Sequence, residues 1–468
     1  MEQLIQIVGL GLFLVCGLLL VRPAWRVPVI AFLLLAMPGN VDDLMPQMTL
    51  DVHPIPFNTG PAISFIDVLI VVAVSLTAVE RPAGRSGRGL WLLLGGLVLT
   101  STVVAVVAAL RGVESAAALR GIIVFARLPA LLFICWGTAP LIRPALVGGA
   151  VALGTIVLLG NGLFTTITRD LDRFTAATFG RNGLAVALVL GAVVVAGATF
   201  ETWAQSGRAK VWPILGAAVA GGALMGAMAT GTRMMLVLLG AASLLGLLAY
   251  PGGLRRGAVR PVALVATVTL VVMLSSVLLT TAGGRVLTLL TEPGAAGELL
   301  TEPDEIPGGT EIQSRGEFWR LALTMAAGQP LTGVGPYQWN VERYVLDPSS
   351  PVVVADAHNS YLQIAAEFGL VVLGLYLVAL VVSVMTVAAG LWRAWRLRRT
   401  GRLGWATIAL AVAGVAYPIA DLTNSHIFSV RTGAFGWLLL LTAIVLTDRD
   451  RQREQLPAGA TDGRPRPD

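Results

Sequence analysis

Apolar runs of about 20 residues recur along the chain, and a run of that length crosses the hydrocarbon core of a bilayer. They fall near 4–21, 27–38, 62–79, 90–110, 121–138, 144–164, 182–200, 211–230, 233–250, 261–281, 369–391, 403–420 and 432–447. Backbone in lipid must satisfy its own hydrogen bonds, so such runs become helices. Only 13% of the 468 residues are charged, against roughly 25% in a soluble domain. That leaves too little polar surface to face water all round. The expected fold is all-α and polytopic, with about 12–13 transmembrane helices and one large extracytoplasmic loop.

Charge then orients the helices, because basic loops stay on the cytoplasmic side. The loops "ERPAGRSGRG" (80–89), "SGRAK" (206–210), "PGGLRRGAVR" (251–260) and "WRAWRLRRTGR" (392–402) share one side. The segment 38–62 is acidic with no Arg or Lys, and belongs outside. So does the longest loop, 282–357, whose stretch between Arg285 and Arg315 holds Glu292, Glu298, Glu302, Asp304, Glu305 and Glu311 and no basic residue. This divides the chain into helices one to ten (1–281), the outer loop (282–357), the remaining helices (358–447) and a disordered cytoplasmic tail (448–468). The run Leu4–Val21 lacks a charged leader and a small-residue cleavage site, and reads as a first membrane helix. The net charge of +6 is nearly all arginine, spread over loops and helix ends without a single basic face, so nucleic acid is not an expected partner.

The outer loop is the one extracytoplasmic region large enough for a site. Within it "QSRGEFWRLALTMAA" (313–327) sets Phe318, Leu321, Ala322 and Met325 at helical spacing, an amphipathic helix on the bilayer surface. A Gly/Pro turn region follows at 328–340, then "ADAHNSYLQIAAEFGLVVLGLYL" (355–377), where a histidine stands at the mouth of an apolar helix. Ser360 and Gln363 have capping-box spacing, so this helix is expected to begin near Tyr361. His358 then lies beside a positive helix end that favours neutral imidazole, the form that accepts a proton. The plainer reading is that "AHNS" only caps a helix. Asn359 suits a cap or an orienter of His358, and Glu367 suits an arginine partner or a marker of the water boundary.

Arginine is the second signal. Arg233, in "ATGTRMMLVLL" (229–239), stands between two apolar runs with almost no loop, a costly place for a charge unless it faces a polar cavity. Its fork of donors suits a phosphate, while a snorkelling side chain is the simpler alternative. Arg173 and Arg181, in "DLDRFTAATFGRNGLA" (170–185), flank another outer entry. Arg315 opens the loop helix, and Arg127 is the deepest arginine, before Pro129. No metal ligand set stands out: His53, His358 and His426 are far apart in sequence, without an H-E-x-x-H pattern. One neutral base and several fixed cations suit a diphosphate leaving group and a hydroxyl nucleophile.

Four segments resemble the O-antigen ligase / O-antigen polymerase family of bacterial membrane proteins: "RFTAATFGRNGLAVAL" (173–188), "TGTRMMLVLL" (230–239), "SRGEFWRLALTMAAGQPLTGVGPYQW" (314–339) and "AHNSYLQIAAEFGLVVLGLYL" (357–377). The first departs from the family's common G-P-N or N-P-N, with Arg181 before Asn182. The resemblance implies a helical GT-C type membrane glycosyltransferase that needs no metal and no other cofactor. It implies a glycan donated from an undecaprenyl-diphosphate carrier at the periplasmic face of the inner membrane. A ligase passes the glycan to the lipid A core, and a polymerase passes it to the next lipid-linked repeat unit. By the same resemblance His358 is the base, Arg233 and Arg315 are the catalytic arginines on the diphosphate, and Glu367 supports them. Arg173, Arg181 and Asn359 complete the expected substrate contacts. The expected partners are the carrier-linked glycan, the bilayer and, for a polymerase, a chain-length regulator. The acidic stretch 292–311 reads as a cover over the glycan. A lipid-linked glycan flippase would also be helical and arginine-lined, but would not need a base in an outer loop.

Overall fold

The computed structural model describes residues 11, 14–36, 64–80, 88–168, 181–205, 211–230, 232, 234–249, 315–346, 356–396, 404–422, 425–429 and 431–455. Among the described residues the regular structure is helical, with no strand. Residues 14–20 are helical and turn through a short 3-10 helix, Pro23–Trp25. The α-helices that follow are α1 (Arg26–Ala36), α2 (Phe65–Glu80), α3 (Arg88–Leu110), α4 (Ser115–Gly137), α5 (Pro144–Thr168), α6 (Arg181–Gln205), α7 (Val211–Ala229) and α8 (Met234–Ala249). After the outer loop come α9 (Arg315–Gly328), α10 (Trp339–Leu346), α11 (Ser360–Arg396), α12 (Trp405–Ala420) and α13 (Thr432–Gln455).

Among the described residues, seven of these helices are long and apolar enough to cross a membrane, and Trp405–Ala420 is a shorter apolar one. The expected span at 261–281 and the acidic stretch 292–311 lie outside the described residues. Helices α6 and α13 run through the centre of the bundle. Leu184 to Leu190 and Trp437 to Leu441 are buried without interruption, as the near-continuous apolar sequence of both helices requires. Outer helices keep large apolar side chains exposed, such as Leu92 and Leu99 on α3 and Trp212 and Ile214 on α7, the surface that lipid covers.

Polar contacts gather at the two ends of the bundle. At one end the buried Arg26 donates to Leu20 O at 3.0 Å, Thr77 Oγ1 at 3.0 Å and Glu80 Oε1 at 2.8 Å. The same end holds the Glu201 carboxylate, accepting from Ala406 N at 2.9 Å, and Arg449, which donates to Ile142 O at 2.9 Å. At the other end Arg111 donates to Gln329 Oε1 at 2.8 Å, tying the turn between α3 and α4 to the outer loop. The buried Arg127 grips Asp67 with two bonds, Nε to Oδ1 at 2.7 Å and Nη2 to Oδ2 at 3.0 Å. The deepest arginine of the sequence thus joins α4 to α2.

One boundary moves. The tail was expected to be disordered from 448, yet α13 continues through Gln455. Its last turns, "DRDRQREQ", are rich in Arg, Gln and Glu, good helix formers that extend a helix outside the apolar run.

Candidate functional site

The site is built around a helix that breaks. Inside α11, Gly369 takes φ 82° and ψ 173°, so residues 360–368 and 370–396 are two helical pieces. A Cβ at Gly369 would lie 2.6 Å from the backbone carbon of Leu331. Only glycine allows both the left-handed φ and that approach. The break turns Leu370 N away from its helical acceptor to donate to Pro330 O at 2.7 Å. The carbonyls of Ala366 and Glu367 instead accept from Val334 N at 2.9 Å and Gly335 N at 3.0 Å. The Gly/Pro loop is therefore strapped along the break, and its buried backbone groups are paired there.

Glu367 completes the strap. Its buried carboxylate accepts from Tyr337 N at 3.0 Å, Trp339 N at 3.2 Å and Gln363 Nε2 at 2.8 Å. Gln363 Oε1 in turn accepts from Ala357 N at 2.6 Å. Of the two roles read for Glu367, an arginine's partner or a marker of the water boundary, neither is what its described bonds show: they go to loop backbone N–H groups and the Gln363 amide. Tyr337 is held in the left-handed region at φ 57°, and burial pushes its phenol up to about 12.

His358 is the other residue besides glycine with positive φ among the described residues, at 49°. Its backbone N donates to Asp356 Oδ1 at 2.6 Å, and its Nδ1 lies 3.4 Å from the same oxygen. Its ring centroid is 5.9 Å from that of Phe318, on the buried face of α9. The side chain is 29% exposed, so solvent reaches it from one side. Strain of this kind persists where the surroundings over-determine it, and it clusters at functional sites.

Asn359 is the cap. Its Oδ1 accepts from Tyr361 N at 3.0 Å and Leu362 N at 3.1 Å, and its Nδ2 donates to Leu422 O at 2.9 Å. This corrects the capping-box reading by one residue. The Ser360 hydroxyl is taken elsewhere, donating to Asp421 Oδ1 at 2.6 Å and accepting from Ile427 N at 3.2 Å. Asn359, expected to touch substrate, spends its described bonds inside the protein.

The turn between α12 and α13 closes the site from the far side. Ser425 Oγ donates to Asp356 Oδ1 at 3.1 Å. With Ser425 bonded to 356 and Ile427 to 360, His426 is set opposite His358. Sequence distance had separated these two histidines. Burial, and after it the neighbouring His358, push the His426 imidazole down to about 3, so it stays neutral. Asp421 at the start of this turn is buried beneath Ser360, Tyr376 and Tyr417, and burial pushes its carboxyl up to about 7. Asp356 is two positions from the base in sequence, but locally the sequence offers no sign of Asp421, Ser425 or His426 as its neighbours; only the helix count, which puts 421–431 on the outer side, points to them.

Arg315 and Arg181 begin α9 and α6; Arg173 and Arg233 lie outside the described residues. The buried Arg343 of α10 was not anticipated. It is 1% exposed, packs over the Tyr344 ring at 5.0 Å, and has no hydrogen-bond partner for Nε or Nη1 among the described residues. Among the described residues no three His, Cys, Asp or Glu side chains gather to hold a metal.

A bundle of apolar helices with a polar cluster at one end defines an all-α polytopic membrane protein. Residues 218–377, from α7 into the membrane-spanning part of α11 and including His358, match the family model described as O-Antigen ligase (Wzy_C). That match spans 160 of the 468 residues and is a likeness to the O-antigen ligase family over that segment. No curated protein matches the chain.

Proposed function

We propose that this protein joins undecaprenyl-diphosphate-linked oligosaccharide repeat units of an O-antigen or exopolysaccharide at the periplasmic face of the bacterial inner membrane. The observation that carries this reading is His358. It is a partly exposed imidazole on a backbone held at positive φ, beside a capped helix start, inside the segment that matches the O-Antigen ligase model.

In the proposed reaction the acceptor sugar's hydroxyl oxygen attacks the anomeric carbon of the donor glycan. The bond from that carbon to the carrier diphosphate breaks, and undecaprenyl diphosphate leaves with the electron pair. His358 takes the hydroxyl proton. Arg233 and Arg315 bind the departing diphosphate and stabilise its charge, since a guanidinium stays charged and offers a planar fork to phosphate oxygens. Arg173 and Arg181 are placed on the carrier's outer contacts, and Glu367 supports the loop. The basic loops favour a cytoplasmic position for the opposite end of the bundle.

A second reading is favoured by the description of the matched family: a ligase that transfers the same glycan to the lipid A core. Purified protein given lipid-linked oligosaccharide, without nucleotide, tests both. Chain elongation supports the polymerase and transfer to added lipid A core supports the ligase. Movement of substrate across liposomes without product would overturn both in favour of a flippase. His358→Ala is expected to abolish transfer yet retain carrier binding, and wild-type product from it would remove the base assignment. Arg233→Lys is expected to lose most activity, because one ammonium does not replace the fork; wild-type turnover would leave Arg233 a helix-end charge.

A further inference from the structure

We propose that Asp356 is the positioning residue of the base, and that Ser425, Asp356 and His358 act as one chain. This inference rests on the reading of His358 as the proton acceptor.

Oδ1 of Asp356 makes three contacts. It accepts from His358 N at 2.6 Å, faces His358 Nδ1 at 3.4 Å and accepts from Ser425 Oγ at 3.1 Å. The first fixes the backbone of a residue held at φ 49°, a conformation that persists where its surroundings impose it. The second fixes the ring. An imidazole nitrogen that faces a carboxylate carries the proton, so the lone pair is placed on Nε2. The third reaches Asp356 from the turn between α12 and α13, so two distant parts of the chain define where the carboxylate points.

The chemistry follows from that orientation. As the attacking hydroxyl gives its proton to Nε2, the imidazole becomes a cation. The Asp356 carboxylate beside it stabilises that charge. His426 opposite stays neutral and adds no competing cation. The plain alternative is that Asp356 only closes the turn before α11.

The test is made on full-length protein with lipid-linked oligosaccharide, comparing Asp356→Asn, His358→Ala and the double variant. Asparagine still accepts from His358 N and Ser425 Oγ through its carbonyl oxygen, so the turn is kept. Asp356→Asn is expected to lower kcat by about 10²-fold, within the range for assisted proton transfer. KM for the donor and the melting midpoint are expected to stay close to wild type. Added to His358→Ala, it is expected to cause no further loss. Wild-type kcat in Asp356→Asn, a loss confined to KM, or an equal loss in the His358→Ala background would overturn the inference. If Asp356→Asn unfolds, Ser425→Ala carries the test, with kcat expected to fall several-fold at constant KM; unchanged kcat there overturns it. His358→Ala at the wild-type rate overturns the base reading itself, whereas an inactive His358→Ala beside a fully active Asp356→Asn overturns only the positioning role.

Discussion

Ser360 and Asp421 stand 61 positions apart in the chain and are bonded twice. Ser360 N donates to Asp421 O at 2.8 Å, and Ser360 Oγ donates to Asp421 Oδ1 at 2.6 Å. Tyr417 Oη and Tyr376 Oη, each at 3.2 Å, donate to the same carboxyl group. The first residue of the helix that follows His358 is thereby fastened to the end of α12.

This carboxyl gives a pH signature. Burial holds Asp421 up at about 7 in the folded protein against an ordinary value of 3.8. The folded state then binds more protons than the unfolded state between those values, so this group's contribution to stability falls as pH rises from about 4 to about 7. Asp421→Asn removes that loss. The melting midpoint of Asp421→Asn minus that of wild type is expected to increase across this window and level off above it. A difference that is flat from pH 4 to 8 would show that the group does not titrate there.

The Arg127–Asp67 pair predicts an asymmetry. Both side chains are buried, and removing one partner leaves an uncompensated charge, which costs about 3–5 kcal/mol. Arg127→Met is expected to lower the melting midpoint more than the double variant Arg127→Met/Asp67→Leu does. Thermal melts in detergent check this, and additive losses would show that the two residues are not coupled.

Glu367→Gln places a donor among the N–H groups of Tyr337, Trp339 and Gln363. At least one of them is left without an acceptor, at a cost of about 1–3 kcal/mol. The loop at 333–339 is expected to gain proteolytic sensitivity. Gly333→Ala, whose Cβ would overlap the Glu367 backbone while φ is 61°, is expected to do the same. Limited proteolysis reads both, and wild-type cleavage patterns would argue against the strap.

Asn359 separates a cap from a substrate contact. Asn359→Asp keeps the oxygen that caps Tyr361 and Leu362 but loses the donor to Leu422 O. Asn359→Ala loses both, and cap removal alone costs about 1 kcal/mol. The expected order of melting midpoints is wild type, Asp, then Ala, with KM for the carrier unchanged in all three. A rise in KM without loss of stability would return Asn359 to the substrate.

The all-helical, membrane-spanning character was legible because lipid leaves the chain few choices, and the loop helix expected at 313–327 is found at Arg315–Gly328. What local pattern misled was the ownership of polar groups. Ser360 looks like a cap until Asp421 claims its hydroxyl. Glu367 looks like an arginine's partner because nothing in the sequence around Tyr337 and Trp339 reveals that their N–H groups come to it. His426 looked remote because 68 positions separate it from His358. Pairings of this kind are made by tertiary packing, which periodicity does not encode.

The break at Gly369 also has a mechanical meaning. An unbroken rod from Ser360 to Arg396 would act as a lever, carrying every tilt of the span in a thicker or thinner bilayer out to its tip. With a joint at Gly369 and the outer piece lashed to the 330–339 loop and the Asp421 turn, tilt is absorbed below the active imidazole. Turnover is then expected to vary little between nanodiscs of short and long acyl chains, and a steep dependence on chain length would mean that the joint is stiff.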